Sequence, residues 1–141
     1  MKQRQRVNLL ELAAREVEES NSKAVYGLMA NMQLASKIAQ SAKSCRLTAQ
    51  NSDTAEAVLQ HVRMKRPALI IFDLDSREAE AFKVLSEIGR DASFKTIPTI
   101  GCISASKRET LEDVRRAGCH RVYMRTEFLK SLNEILARYA S

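Results

Sequence analysis

Asp73 and Asp75 close the stretch "LIIFDLDSRE" at residues 69–78, in which four apolar residues run directly into two carboxylates separated by one position. An aspartate at the end of a buried strand can accept a phosphoryl group or act as the nucleophile of a phosphatase. It can also do neither, hydrating the strand end and capping the helix that follows. The first two options need a hard cation or a positive side chain nearby, because charge builds on the transferring group. Candidates for that surrounding are Ser104, Arg125 and the "MAN" at 29–31. The remaining chemistry-bearing residues are less promising. Cys45, Cys102 and Cys119 lie far apart, without metal-ligand or redox-pair spacing, and read as small core hydrophobes. His61 falls in a helical pattern, where exposure is expected, and His120 falls in a turn; neither has a ligand-spaced companion.

Strand–helix alternation must position these groups. "AVYGLMA" at 24–30 reads as a buried strand, and Asn31 can cap a helix that turns Leu34, Ala35, Ile38 and Ala42 inward. "CRLTA" at 45–49 is a short, less apolar strand suited to an edge. Asp53 and Glu56 have the spacing of a capping box ahead of Val58, Leu59 and Val62, and Pro67 stops that helix. "ALIIFDL" is the strongest strand, and a helix presenting Phe82, Leu85 and Ile88 follows it. "TIPTIGCIS" at 96–104 is the fourth strand; Ser106 and Glu109 suggest a second capping box, with Leu111 and Val114 inward until Gly118. "RVYM" is the fifth strand, after which Thr126 is expected to cap a helix burying Leu129, Leu132, Ile135, Leu136 and Tyr139.

Five such units predict an α/β fold, a parallel sheet with helices on both faces. Reaction sites in these sheets gather at the carboxyl ends of the strands, which places Asp73, Asp75, Ser104 and Arg125 around one rim. Residues 1–23 stand apart as an amphipathic helix with Val7, Leu10, Ala14 and Val17 on one face. Such a helix is marginal alone and must pack, either on its own domain (24–141) or on a second copy as a homodimer. A net charge of +6 keeps nucleic acid in view, but aromatic residues are only 5% and Trp is absent, which argues against it. No apolar run has membrane length and none follows the basic start "MKQRQR", so a cytoplasmic protein is expected.

The order of elements resembles the receiver domain of two-component response regulators (CheY-like) over roughly residues 24–140. "RPALIIFDL" is similar to the family's third strand and puts Asp73 at the phospho-accepting position. "IPTIGCIS" resembles the fourth strand, with Ile103 at the hydroxyl position by strict spacing and Ser104 beside it. "AGCHRVYMRTEF" resembles the segment in which Arg125 takes the place of a lysine and Thr126 that of a proline. The resemblance implies a flavodoxin-like sheet of order 2-1-3-4-5, with Ser104 and Arg125 as phosphate contacts. One departure is decisive. Receivers carry an acidic pair after the first strand to hold magnesium, yet here the place reads "LMANMQ", and no Asp or Glu occurs from Ser20 to Ser52. Asp73 and Asp75 alone are weak candidates for a metal site, since magnesium prefers several hard oxygen ligands.

The expectation is therefore a degenerate, or pseudo-, receiver: a non-enzymatic signalling module without a cofactor that acts through protein–protein contact, with a histidine kinase or downstream regulator as partner. Asp75 and Arg125 can form an ion pair across the rim that freezes one conformation. Arg115, Arg116, Arg121 and Tyr123 form a possible partner face, and a stand-alone regulator or adaptor without an output domain is expected. Two alternatives stay open. One is an active receiver that is phosphorylated at Asp73 with magnesium. The other is a phosphatase, since "IIFDLDS" also looks like the first motif of the haloacid dehalogenase type, with Asp73 as nucleophile, Asp75 as acid–base and Lys107 as a later motif. The late acidic pair of that type has no counterpart, because Glu127 and Glu134 both fall in the last helical pattern.

Overall fold

The structure, a computed structural model, describes residues 23–140; the amphipathic segment expected over 1–23 lies, apart from Lys23, outside the described residues. The chain alternates as β1 (Lys23–Leu28), α1 (Met32–Ser44), β2 (Leu47–Ser52), α2 (Ala55–Met64), β3 (Leu69–Asp73), α3 (Glu78–Arg90) and β4 (Thr99–Ile103). A 3₁₀ turn (Ala105–Thr110) follows, then α4 (Leu111–Arg116), β5 (Arg121–Met124), α5 (Arg125–Lys130) and α6 (Leu132–Ala140). Every strand pairing is parallel, and the order is β2-β1-β3-β4-β5, as expected. Among the described residues no helix is long and apolar enough to cross a membrane.

Burial from both sides explains the continuous apolar strands. In β3, Leu69, Ile70, Ile71 and Phe72 are all 0% exposed. Successive side chains point to opposite faces. Ile70 and Phe72 join Val58, Val62, Val84 and Ile88 in one core, while Leu69 and Ile71 join Leu34, Ile38, Phe128 and Leu136 in the other. Burying a side chain such as Phe72 contributes roughly 2–3 kcal/mol, so these two layers dominate the stability of the sheet. β2 is an edge strand in which only Leu47 is buried.

Helix starts follow local chemistry, with three corrections to the sequence expectations. Asn31 caps α1 as expected, its side chain accepting from the amides of Gln33 and Leu34 at 3.0 and 3.1 Å. Asp53 does not cap α2; β2 continues to Ser52, and Thr54 takes the extended cap position, accepting from the Ala57 amide at 3.2 Å. The Ser106–Glu109 box is replaced by the 3₁₀ turn, which is kinked at Lys107 (φ −113°, ψ 22°) and has no side-chain cap. Thr126 does not cap either: Met124 holds the extended cap geometry and the helix begins two residues early, at Arg125. That helix also breaks at Ser131, and across the break Ser41 bonds to Asn133 of α6. His61 is not exposed but half-buried, its ring centroid 5.6 Å from that of Tyr26.

The amino-terminal ends of the strands form the foot of the sheet, held by neutral hydrogen bonds. Tyr26 Oη donates to the carbonyls of Lys65 (2.7 Å) and His61 (3.1 Å), tying off the end of α2. Thr99, fully buried, bonds to His120 three ways: its amide donates to Nδ1 at 3.1 Å, its Oγ1 lies 2.9 Å from Nδ1, and Oγ1 accepts from the His120 amide at 3.1 Å. Gly118, with φ +107°, turns the chain from α4 towards β5 in a conformation that L side chains rarely adopt.

Candidate functional site

Asp73 ends β3 at the carboxyl rim and is 0% exposed. A buried carboxylate must find donors or a counter-charge, and Asp73 finds three. Its Oδ1 accepts from the Asp75 amide at 3.1 Å, its Oδ2 accepts from the Ser76 hydroxyl at 2.7 Å, and the Arg125 guanidinium lies 3.8 Å from Oδ1. Ser76 continues the network, since its Oγ accepts from the Ala30 amide at 3.2 Å. The loop after β1 is thereby joined to the loop after β3 through one hydroxyl.

Asp75 is the junction with the other strands. Its Oδ1 accepts from the Ser104 amide at 2.9 Å, its Oδ2 takes Arg125 Nη1 at 2.9 Å, and its backbone carbonyl accepts Lys107 Nζ at 3.0 Å. Burial alone would push the Asp75 carboxyl up. The Ser104 amide and the Arg125 guanidinium outweigh it, holding Asp75 below the usual carboxylate range. The Asp75 and Arg125 side chains are 19% and 27% exposed, so the pair is sheltered from the solvent that makes surface ion pairs nearly worthless. The ion pair expected across the rim is thus present in the structure.

Asp73, Asp75, Ser104 and Arg125 come together as the sequence suggested, and the early helix start explains how. Arg125, as the first residue of α5, projects from directly above β5 over the end of β3. Ile103, the strict hydroxyl position, is 0% exposed in the core, and it is the amide of its neighbour Ser104 that reaches the rim. The Ser104 hydroxyl lies 2.9 Å from that of Ser106. Two participants were not singled out for this role. Ser76 carried a signal in its spacing, three positions beyond Asp73 where a turn brings side chains together. Lys107 enters because the 3₁₀ turn replaces a regular helix start.

After β1 the rim presents no acid. Met29 is 1% exposed and packs in the core with Leu34, Ile38 and Phe128, Ala30 is exposed, and Asn31 is committed to capping. Gly27 makes room for this arrangement: a Cβ there would stand 3.1 Å from Met29 Cε and 3.0 Å from Asn51 Oδ1. Asn51 in turn donates to the Met29 carbonyl at 3.0 Å. Among the described residues no group of three or more His, Cys, Asp or Glu side chains gathers. A divalent ion at the rim would have to compete with Arg125 for both available carboxylates, so this donor set fits magnesium poorly.

The remaining predicted residues lie elsewhere. Arg115 and Arg116 are exposed on α4, Arg121 is exposed on β5, and Tyr123 is half-buried on β5 with its ring centroid 6.2 Å from that of Phe128. Arg115 pairs with Glu112 at 3.4 Å on an exposed surface. Cys102 and Cys119 are buried and Cys45 half-buried, and burial pushes the Cys102 thiol up to about 12, which leaves it an inert core residue.

No family model matches the sequence, and no curated protein matches it. Solved structures do match the fold. A response regulator from Hahella chejuensis is 19% identical, with 85% of this chain and 96% of that one covered and a TM-score of 0.74. The receiver domain of the sensor histidine kinase PA1611 from Pseudomonas aeruginosa, solved with a magnesium ion in its active-site cleft, is 14% identical, with 84% and 98% covered and a TM-score of 0.71. The chemotaxis response regulator CheY4 of Vibrio cholerae is 12% identical, with 84% and 99% covered and a TM-score of 0.71. The chain has the receiver fold.

Proposed function

We propose that this chain is a degenerate receiver: a non-enzymatic signal-transduction module, working in the cytoplasm without a cofactor, that acts by binding another protein rather than through phosphorylation of Asp73. One observation carries the reading. Asp73 is wholly buried, and both rim carboxylates are engaged by Arg125. An acceptor needs an exposed oxygen and a divalent ion to offset the charge of the incoming group. Here the oxygens of Asp73 are taken by Ser76 and the Asp75 amide, and Met29 and Ala30 stand where the family has acids.

The partner in this reading is a histidine kinase or a downstream regulator, met through the face that carries Arg115, Arg116, Arg121 and Tyr123. Homodimerisation through residues 1–23 belongs to the same proposal. Phosphorylation at Asp73 is the second reading, favoured by the convergence of Ser104 and Arg125 on Asp75 beside it. The phosphatase reading has less support, because an acid–base aspartate works best with a raised pKa and that of Asp75 is lowered.

Magnesium and beryllofluoride titration followed by backbone NMR separates these readings, since beryllofluoride mimics an acyl phosphate. The degenerate receiver should show no specific shifts and take up no label from a small acyl-phosphate donor. Saturable shifts around Asp73, Ser104 and Arg125, or label abolished by Asp73→Asn, would establish the active receiver instead. Hydrolysis of an aryl phosphate that stops on the same substitution would establish the phosphatase.

A further inference from the structure

We infer that Arg125 is the resident counter-cation of this site, an internal guanidinium that holds the Asp73 and Asp75 carboxylates together in place of a divalent ion. The inference rests on the degenerate-receiver reading and adds its cause: the site disfavours metal because a cation of its own already occupies it, as well as because acids are missing after β1.

The charge count supports this. Two carboxylates bring two negative charges to the rim, and Arg125 at 3.8 and 2.9 Å with Lys107 at 3.0 Å from the Asp75 carbonyl brings two positive ones. A guanidinium cannot lose its proton in a protein and is more weakly hydrated than an ammonium, so it tolerates this sheltered position at any working pH. It also comes from the chain itself. No ligand has to be captured from solution, and no loss of ligand can open the site. α5 starts at Arg125, two residues before the start that a Thr126 cap would give, and Nη1 of this first helical residue reaches both aspartates.

Removing this charge while keeping a hydrogen-bonding side chain should therefore turn the rim into a metal site. In Arg125→Gln two carboxylates would face each other with only Lys107 nearby, and a divalent ion is their natural partner. The experiment compares thermal melts of the full chain in magnesium chloride and in potassium chloride of equal ionic strength, with manganese-induced NMR line broadening to locate the ion. The wild type should melt identically in both salts. Arg125→Gln should melt higher in magnesium, saturably, with an affinity at least about tenfold above the wild type (about 1.4 kcal/mol), and manganese should broaden Asp73 and Asp75 first. Arg125→Lys, which keeps the charge, should stay indifferent to magnesium.

A folded Arg125→Gln that ignores magnesium overturns the inference and leaves the degenerate-receiver reading standing. An Arg125→Lys that takes up magnesium as well as the Gln variant overturns it too, since charge would then not be the barrier. Saturable magnesium binding at Asp73 in the wild type overturns both. Should Arg125→Gln be unfolded, recovery of its native spectrum on adding magnesium supports the inference, and failure to recover counts against it.

Discussion

The two ends of this sheet are held by different physics. At the foot the ties described end on uncharged acceptors and contain no ion pair: Thr99 with His120, Tyr26 with the carbonyls of His61 and Lys65, and Arg66 reaching the loop before β4 through the Ser93 carbonyl and Thr96 Oγ1. Arg66 is a charged donor, and the Ser93 carbonyl and Thr96 hydroxyl that accept from it are uncharged. At the carboxyl rim the ties are ionic and run through Asp73, Asp75, Arg125 and Lys107. A neutral hydrogen bond contributes about 1 kcal/mol net and is indifferent to salt. An enclosed ion cluster gains little net stability when intact but is costly to break, because a lone charge is left behind. The foot therefore secures the fold, whereas the rim fixes one arrangement of four loops and penalises departures from it.

The largest effect should come from breaking the rim. Arg125→Ala strands the buried Asp73 carboxylate and is expected to cost about 3 kcal/mol in urea unfolding; a loss below 0.5 kcal/mol would mean that the guanidinium holds nothing. At the foot, Thr99→Val keeps the shape and the backbone amide bonded to Nδ1, but removes the acceptor for the His120 amide and the hydroxyl beside its ring nitrogen. It should cost about 1–2 kcal/mol, and the cost should be the same at low and high salt, unlike that of the Arg125 variant. A smaller effect separates the ends by acid. The folded-state pKa of Asp75 is lowered, so its contribution is present above the ordinary carboxylate range and is lost as pH falls below about 4. Asp75→Asn should be less stable than wild type at neutral pH, with the gap narrowing as pH falls below the ordinary carboxylate range; a gap that widens in acid would reverse the sign of this linkage. The smallest effect lies at the foot and has the opposite direction. Arg46 follows α1 with φ +61°, where a side chain is strained, and Arg46→Gly should stabilise the chain by about 0.5–1 kcal/mol in the same assay.

The fold was legible in the sequence where burial dictates pattern. "ALIIFDL" and "TIPTIGCIS" could only be two-sided strands, and the less apolar "CRLTA" marked an edge, although β2 proper runs from Leu47 to Ser52. Helix starts were less legible, since a Ser or Asp three residues before a Glu is compatible with capping without requiring it. Tertiary demands decided against Asp53, Ser106 and Thr126: a strand that ran on, a lysine drawn to the Asp75 carbonyl, and an arginine that had to enter the first turn of α5. At the site, the aspartates and Arg125 announced themselves by spacing. Ser76 offered only its spacing from Asp73, too weak a signal alone, because a serine in a turn is ordinary until its hydroxyl is seen between the Ala30 amide and Asp73.

The buried thioether of Met29 bears on how this molecule could change. Placing an acid at that position by one substitution would set a carboxylate among Leu34, Ile38 and Phe128, in a niche for which Gly27 leaves room. The loop would have to be re-cut before the acid could face outward. The residue at position 29 is thus a matter for the interior first: a single exchange there changes the core before it changes the rim.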